Sequence, residues 1–237
     1  MKAADVRKEL KSMAEPEKAA ILQRFFKTGP SQYGKGDIII GVMVPQSRQV
    51  AKKFNQLPLG EVRTLLYSRI HEERLVALLI LVRRYSSASG REKVKIVKFY
   101  LDHVKQVNNW DLVDLSAPNI LGAHLVDSID RRRLLSSLAG SENVWERRIA
   151  IVATHHFIRN GDFSDTLKIT EMLLQKRHFS KSTTVSCPGR CSAMRLKGCL
   201  RARSAATRKR RSIGGRYSRK YLRHICYLHS CQFEREY

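Results

Sequence analysis

Apolar residues recur at helical spacing from residue 6 to about residue 178, almost without interruption. Signals for β-strands are nearly absent, since only residues 38–42 form a short β-branched run. This pattern predicts an all-α chain. One predicted helix begins after Pro45 and includes residues 50–54. The others lie at about 19–26, 62–66, 70–85, 94–107, 110–126, 131–138, 144–158 and 163–174.

Turn-forming residues interrupt the chain after every one or two helices. A pair of such helices cannot bury its apolar face alone, so the pairs must stack on one another. The segments HEERLVALLILVRRY and NVWERRIAIVATHHFI resemble each other, and the helix spacing fits HEAT-type units of about 40 residues. We therefore expect a superhelical solenoid of HEAT-like helix pairs with a concave basic groove.

The charge of the chain indicates a polyanionic partner. Lys and Arg number 45 against 21 Asp and Glu, a formal net charge of +24. Residues 1–178 contribute +11 of this charge, from 30 basic and 19 acidic side chains. No apolar run approaches the roughly 20 residues of a membrane span, and the first residues, MKAADVRKELK, lack the apolar stretch of a secretion signal. We expect a cytoplasmic, nucleoid-associated protein with no membrane partner.

Residues 179–237 differ in composition from the rest of the chain. They hold 15 basic and 2 acidic side chains and all five cysteines, and Arg, Ser and Cys fill 24 of their 59 positions. We predict a HEAT-like-repeat domain at 1–178 and an atypical, poorly ordered basic Cys/Arg/Ser-rich tail at 179–237. So abrupt a change is typical of a shifted reading frame or an erroneous gene end. The alternative is a genuine tail whose basic run at 208–211 contacts nucleic acid.

Four segments of the first part are long enough to compare with a known family. They read YGKGDIIIGVMVPQSRQVAKKF, SRIHEERLVALLILVRRY, VNNWDLVDLSAPNILGAHLVD and SENVWERRIAIVATHHFIRNGDFSDTLKI. From about residue 16 to about residue 178 the chain resembles the AlkD-like DNA alkylation repair proteins, a family of HEAT-like-repeat DNA glycosylases. Beyond His178 the resemblance stops, where family members continue with further helices and a second tryptophan of the groove.

The resemblance implies a monofunctional DNA glycosylase that removes N3- or N7-alkylated purines from duplex DNA. We expect it to need no metal and no organic cofactor, and to act as a monomer on double-stranded DNA containing alkylated bases. The loss of the terminal helices would impair this activity. The alternative is a non-catalytic HEAT-repeat protein that binds branched or bent DNA through the same basic groove.

Trp110 and Asp114 are the strongest candidates for the reacting site. Their four-residue spacing places them one turn apart on one face of a helix, with Asp111 turned away. An aromatic ring beside a carboxylate suits a cationic base and its sugar. The resemblance implies that Asp114 is the catalytic carboxylate and Trp110 a wall of the cleft. Without the resemblance, this common spacing favours the alternative of a core tryptophan and a surface or capping aspartate.

Arg147 and Arg148 follow Trp145 near the start of an apolar helix. The resemblance implies that Arg148 lines the groove near the acid, where it would bind a phosphate beside the lesion, with Arg147 as its neighbour in lesion binding. The alternatives are two solvated arginines or an intramolecular partner for Asp114, and Arg148 can serve both roles. Trp145 is expected to pack in the core.

Three further basic residues lie in or after the glycine-rich loop at 33–36. They are Lys35, Arg48 and Lys52, and a helix N-terminus with basic side chains nearby suits contact with phosphate. Solvated surface charge is an equal alternative for all three. The glycines do not make a nucleotide-binding loop, because no strand and no Lys-Ser/Thr pair accompany them.

Overall fold

The computed structural model of the protein describes residues 1–30 and 32–179, with side chains up to residue 175. Met1–Leu173 form the first compact unit of the chain, and a second unit begins at Leu174. Residues 180–237 lie outside the described part, so the predictions for the basic tail, its order and its origin are not tested. The predicted boundary at 178 stays a prediction for the same reason.

The described residues are helical, and they confirm the predicted all-α class. They contain no strand, since the run at 38–42 contributes only an isolated bridge between Ile38 and Ile70. A 3₁₀ turn covers Val104–Gln106 and a π-helical turn covers Pro118–Gly122. The α-helices are α1 (Ala3–Ser12), α2 (Pro16–Phe25), α3 (Val44–Lys53), α4 (Leu59–Leu66), α5 (His71–Ser87), α6 (Gly90–Asp102), α7 (Trp110–Ser116), α8 (Ala123–Leu125), α9 (Arg131–Gly140), α10 (Val144–Ala153), α11 (His155–Arg159) and α12 (Ser164–Phe179).

Helix α5 is the centre of the first unit. It packs against α1, α3, α4, α6 and α7, and every residue from His71 to Leu81 is buried. A helix that is apolar on nearly all sides must lie inside the protein. Its buried acids have partners: Glu72 accepts hydrogen bonds from the N–H groups of Ile40 and Gly41 at 3.0 and 2.9 Å, and Glu73 accepts one from Arg7 at 2.9 Å.

Helix α10 is the second buried helix, and it packs against α7, α9, α11 and the π-helical turn. The approach of this turn to α10 depends on Gly122. A β-carbon at this position would lie 2.3 Å from the carbonyl oxygen of Ala153, which is shorter than any normal contact. Glycine therefore allows the chain that continues from α7 to lie directly on α10.

Two predicted helices are interrupted in the structure. The helix predicted at 110–126 ends at Ser116, because Pro118 has no N–H to donate and the N–H of Gly122 reaches back five residues to Ala117 at 2.8 Å. The helix predicted at 144–158 breaks at Thr154, whose Oγ1 donates to the carbonyl of Ile151 at 2.6 Å. Such a side-chain bond to the preceding turn competes with the helix backbone and bends it.

Consecutive helices pack as pairs, α4 with α5 and α9 with α10. Such pairs are compatible with HEAT-like repeats, whereas the solenoid and its concave groove stay predictions. Among the residues described, no helix combines the length and the apolarity that a bilayer span would need.

Candidate active site

Helices α7 and α10 carry four of the predicted site residues, Trp110, Asp114, Arg147 and Arg148, and an asparagine precedes each helix. The side chain of the buried Asn109 accepts a hydrogen bond from the N–H of Trp110 at 2.8 Å. In the same way, Asn143 accepts a hydrogen bond from the N–H of Trp145 at 2.9 Å. Asparagine is among the preferred residues at this position, because its oxygen satisfies a backbone donor that the helix leaves open. The two caps fix where each helix starts.

Asp114 and Arg148 form a two-point ion pair between α7 and α10. Arg148 Nε donates to Asp114 Oδ1 at 3.0 Å, and Nη2 donates to Oδ2 at 2.9 Å. The arginine side chain is only 8% exposed, whereas that of Asp114 is 37% exposed. The carboxylate is therefore held from behind by a buried cation and faces solvent. The intramolecular partnership foreseen for Arg148 is present, while its contact with a phosphate stays a prediction.

An aromatic cluster, Phe25, Phe26 and Trp110, lies one helical turn from Asp114. Trp110 stacks on Phe26, with ring centres 5.5 Å apart and planes inclined by 21°. Phe25 meets Trp110 edge-on at 5.7 Å and is 59% exposed. The sequence predicts a helix that includes Phe25 and Phe26 and indicates no functional role for either residue. Phe25 adds exposed aromatic surface next to Trp110, and the buried Phe26 supports the indole through the stacked contact.

A buried network of charges lies beneath the cluster. Its centre is His71, whose ring faces Phe26 at 4.7 Å. His71 Nε2 donates to Asp111 Oδ2 at 2.7 Å, and Nδ1 lies 3.5 Å from Asp37 Oδ2. Arg74 pairs with Asp37 as well. Burial lowers the pKa of His71, but the charge and hydrogen bond of Asp111 and the hydrogen bond to Asp37 outweigh it and raise the pKa to about 9.

The pKa of Asp37 shifts in the opposite direction. Burial would raise it, yet the hydrogen bond of His71 and the positive charges of Arg74 and His71 bring it below its usual value. At neutral pH the network therefore holds two cations among carboxylates. None of these residues was singled out from the sequence except Asp111, which was expected to point away from the site.

His155 begins α11 near the ion pair. Its Nε2 is buried and has no hydrogen-bond partner among the described residues. Burial lowers the pKa of His155, and the positive charges of Arg159 and Arg148 lower it further. The negative charge of Asp114 raises this pKa, but the lowering effects are larger. The ring is therefore neutral at pH 7. Across residues 1–30 and 32–179, no group of three His, Cys, Asp or Glu side chains is arranged to hold a metal ion.

The other predicted basic residues occupy separate places. Lys35 is exposed in the turn after α2, and Arg48 and Lys52 are exposed one turn apart on α3. The guanidinium of Arg147 donates to the carbonyls of Ser141 and Glu142 at 3.1 and 2.9 Å, at the end of α9. The structure thus joins Asp114 with Arg148, one turn from Trp110. The DNA-binding roles of these four basic residues stay predictions.

The turn at 33–36 lies against the start of α10. The ring of Tyr33 meets Trp145 edge-on, with centres 5.8 Å apart. Trp145 is buried at 7% exposure, as expected for a core residue. Lys35 follows Tyr33 by two residues in this turn and is exposed.

The sequence model of a family described as DNA alkylation repair enzyme matches residues 6–184, about three quarters of the chain. No curated protein matches the chain. A solved structure described as "Predicted DNA alkylation repair enzyme from Enterococcus faecalis" is similar at 17% sequence identity and a TM-score of 0.48, over 73% of this chain and 76% of that one.

Proposed function

The chain belongs to the family of DNA alkylation repair enzymes, and from this premise we propose that it is a monofunctional DNA glycosylase. It hydrolyses the N-glycosidic bond of N3- or N7-alkylated purines in duplex DNA. The observation that carries the proposal is the half-exposed carboxylate of Asp114, held by the buried Arg148 one helical turn from Trp110.

The chemistry of the substrate explains why one carboxylate is enough. Alkylation at N3 or N7 gives the purine a positive charge, so the base leaves as a neutral molecule without being protonated. The bond between C1′ and the base nitrogen breaks, and its electron pair goes to the base. A sugar with oxocarbenium character remains, and a water molecule adds to C1′ and gives up a proton. A fixed carboxylate stabilises the cation and orients or deprotonates the water.

The geometry of Asp114 suits both tasks. An ionised carboxylate has about four acceptor positions, and Arg148 takes one on each oxygen. The remaining positions are available to a water molecule on the exposed side. Because the guanidinium holds both oxygens, the carboxylate is fixed in rotation before the substrate arrives, which is the preorganisation that electrostatic catalysis requires.

The aromatic cluster offers a surface for the alkylated base. A cation is attracted to the faces of aromatic rings, most strongly to that of tryptophan. Trp110 lies one helical turn from the carboxylate and Phe25 meets its ring edge-on, so a positively charged purine on this surface would have its sugar near the acid. This arrangement favours a base that carries charge over an ordinary neutral one.

Binding of the duplex would come mainly from contacts between basic side chains and phosphates. Residues 1–178 carry a net charge of +11. The proposed contacts are Lys35, Arg48, Lys52, Arg147 and Arg148. Each phosphate contact releases counterions, so affinity for DNA falls steeply as the salt concentration rises.

The deciding experiment measures release of methylated purines from alkylated duplex DNA. We expect the Asp114→Asn variant to lose this activity and to keep most of its affinity for DNA. The matched control is Asp102→Asn, since Asp102 lies at the end of α6 and pairs with Lys98 on the surface. Release by Asp114→Asn at the wild-type rate would rule out the role of Asp114. Binding of branched or bent DNA without release by any variant would establish the non-catalytic alternative.

A further inference from the structure

Three rings in contact connect the surface of the site with the buried charge network. Trp110 stacks on Phe26 at 5.5 Å, and Phe26 in turn faces His71 at 4.7 Å. Trp110 is half-buried, Phe26 is 9% exposed and His71 is 2% exposed. Among the described residues, Phe26 is the ring that contacts both the imidazole and the indole.

His71 also links two segments on either side of this stack. Its Nε2 reaches Asp111, the residue after Trp110 in the first turn of α7. Its Nδ1 faces Asp37, which follows the turn at 33–36. A change at His71 therefore acts on the helix that carries Trp110 and on the loop next to Phe26.

The loop around Asp37 is in turn bound to the end of α2. The N–H of Gly34 donates to the carbonyl of Lys27 at 3.2 Å. A β-carbon at Gly34 would lie 2.6 Å from the carbonyl oxygen of Phe26, so the turn fits against this residue only with glycine. The backbone that carries Phe26 is thus held through the same loop that His71 contacts.

We propose that His71 is a positioning residue of the site, which keeps the ring of Trp110 in place through Phe26, Asp111 and Asp37. This inference rests on the proposed function, because it assigns His71 an effect on base release. His71 itself does not touch the reacting atoms.

The charge of His71 supports this role. The charged groups that face it are Asp111 and Asp37, which attract the protonated ring, and Arg74, which repels it. The balance keeps the imidazolium form at neutral pH, so Nε2 donates to Asp111 at 2.7 Å and the protonated Nδ1 faces Asp37 at 3.5 Å, longer than a normal hydrogen bond. A side chain with no donor in the place of Nε2 would take the partner of Asp111 Oδ2 away, whereas Asp37 would keep Arg74. A buried carboxylate oxygen without a partner draws in water or moves.

The test follows Trp110 directly. The chain has two tryptophans, so the side-chain N–H region of a nitrogen-15 NMR spectrum holds two signals, and the one lost in Trp110→Phe belongs to Trp110. In His71→Gln we expect this signal to shift and broaden. We expect kcat for base release to fall by about 10- to 100-fold, as for misplaced catalytic groups, while affinity for duplex DNA stays at the wild-type level.

The matched control is His124→Gln. His124 contacts Tyr85, which lies 14 residues beyond His71 on α5, a distance of about 21 Å along the helix. This variant should leave both the Trp110 signal and kcat unchanged. A His71→Gln protein with the wild-type Trp110 signal, or with wild-type kcat, overturns the proposal.

A second variant covers the case in which His71→Gln does not fold. Phe26→Leu removes the ring between His71 and Trp110 and leaves every charge of the network in place. Like His71→Gln, it should shift the Trp110 signal and lower kcat. A Phe26→Leu protein with wild-type values of both would overturn the proposal. If the wild-type protein releases no base, the proposed function fails, and the Trp110 signal alone then decides whether His71 positions this ring.

Discussion

Arg148 donates a hydrogen bond to each carboxylate oxygen of Asp114, from Nε to Oδ1 at 3.0 Å and from Nη2 to Oδ2 at 2.9 Å. The two residues lie on different helices, α10 and α7, which also meet through the π-helical turn after α7. A flat guanidinium suits this two-point contact, whereas an ammonium group offers a single centre of charge. The pair therefore sets the orientation of the carboxylate as well as balancing its charge.

The first prediction concerns Arg148→Lys. Lysine keeps the positive charge and loses the second hydrogen bond, which for a charged group is worth about 1.5–3 kcal/mol, or roughly 10- to 100-fold in rate. We expect kcat for base release to fall by that factor. If orientation of Asp114 is the role of Arg148, the Kd for duplex DNA and its salt dependence should stay nearly constant. A change confined to Kd would identify Arg148 as a phosphate ligand only.

The control for this variant is Arg131→Lys. Arg131 also joins two carboxylates, those of Asp162 and Asp165, and its guanidinium lies 4.4 Å from the ring centre of Phe157. Its replacement should lower the melting temperature and leave kcat unchanged. Both variants are compared below the melting temperature of the weaker one, so that loss of fold and loss of orientation are separated.

The second prediction concerns the exposed ring of Phe25. Phe25 is 59% exposed and meets Trp110 edge-on, so its removal costs little in folding. Contact between a base and an aromatic ring is worth about 1–3 kcal/mol, so Phe25→Ala should raise the Kd for alkylated duplex DNA by about tenfold. Ile21→Ala is the matched control, because Ile21 lies one turn earlier on α2 and is 60% exposed. Equal affinities of the two variants would contradict a role of Phe25 in binding.

Much of the fold could be predicted because helix formation in this chain is local. The apolar period predicted helices at 70–85 and 144–158, and α5 and α10 lie in these ranges and are buried. The four-residue spacing of Trp110 and Asp114 likewise placed them one turn apart, as they are on α7. Such inferences need only the geometry of a single helix.

Contacts between distant segments could not be predicted in the same way. Phe26 and Trp110 are 84 positions apart in the sequence, and nothing in their local pattern shows that their rings stack. The link between His71 and Asp111 depends equally on how α5 and α7 pack. Breaks within helices were missed for a different reason, since the π-helical turn at Pro118 follows from packing against α10 as well as from the proline.

The third prediction concerns Gly122→Ala. The added methyl group would lie 2.3 Å from the carbonyl of Ala153, so the π-helical turn must move away from α10. Overpacking of this kind costs about 1–3 kcal/mol of folding free energy, and it should weaken the contact between Asp114 and Arg148. We expect a lower urea midpoint and slower base release.

The control for Gly122 is Gly60→Ala in α4. A β-carbon there meets no atom of the described residues within 4 Å, and alanine in a helix is more stable than glycine by about 0.5–1 kcal/mol. This variant should therefore raise the urea midpoint and leave base release unchanged. Equal stability changes in the two glycine variants would show that the approach to Ala153 is not the cause.

The last prediction concerns pH. The pKa of His71 rises from 6.5 to about 9 on folding, because the charge and hydrogen bond of Asp111 and the hydrogen bond to Asp37 outweigh the effect of burial. A basic side chain whose pKa is higher in the folded than in the unfolded protein stabilises the folded state. This contribution is complete at pH values below the pKa of the unfolded state and is lost as the pH rises through the pKa of the folded state. The contribution is thus complete below pH 6.5 and lost by about pH 9, and at 1.36 kcal/mol per pKa unit it amounts to roughly 3 kcal/mol.

Urea unfolding of the wild-type protein at pH 6.5, 7.75 and 9 should therefore show a steady fall in the free energy of unfolding. His155 does not account for such a fall, since burial lowers its pKa and its effect appears below pH 6.5. In His71→Gln the free energy of unfolding should change much less between pH 6.5 and 9, because the titrating group is absent. A wild-type protein whose stability is constant over this range would show that His71 is not held as a cation between Asp37 and Asp111.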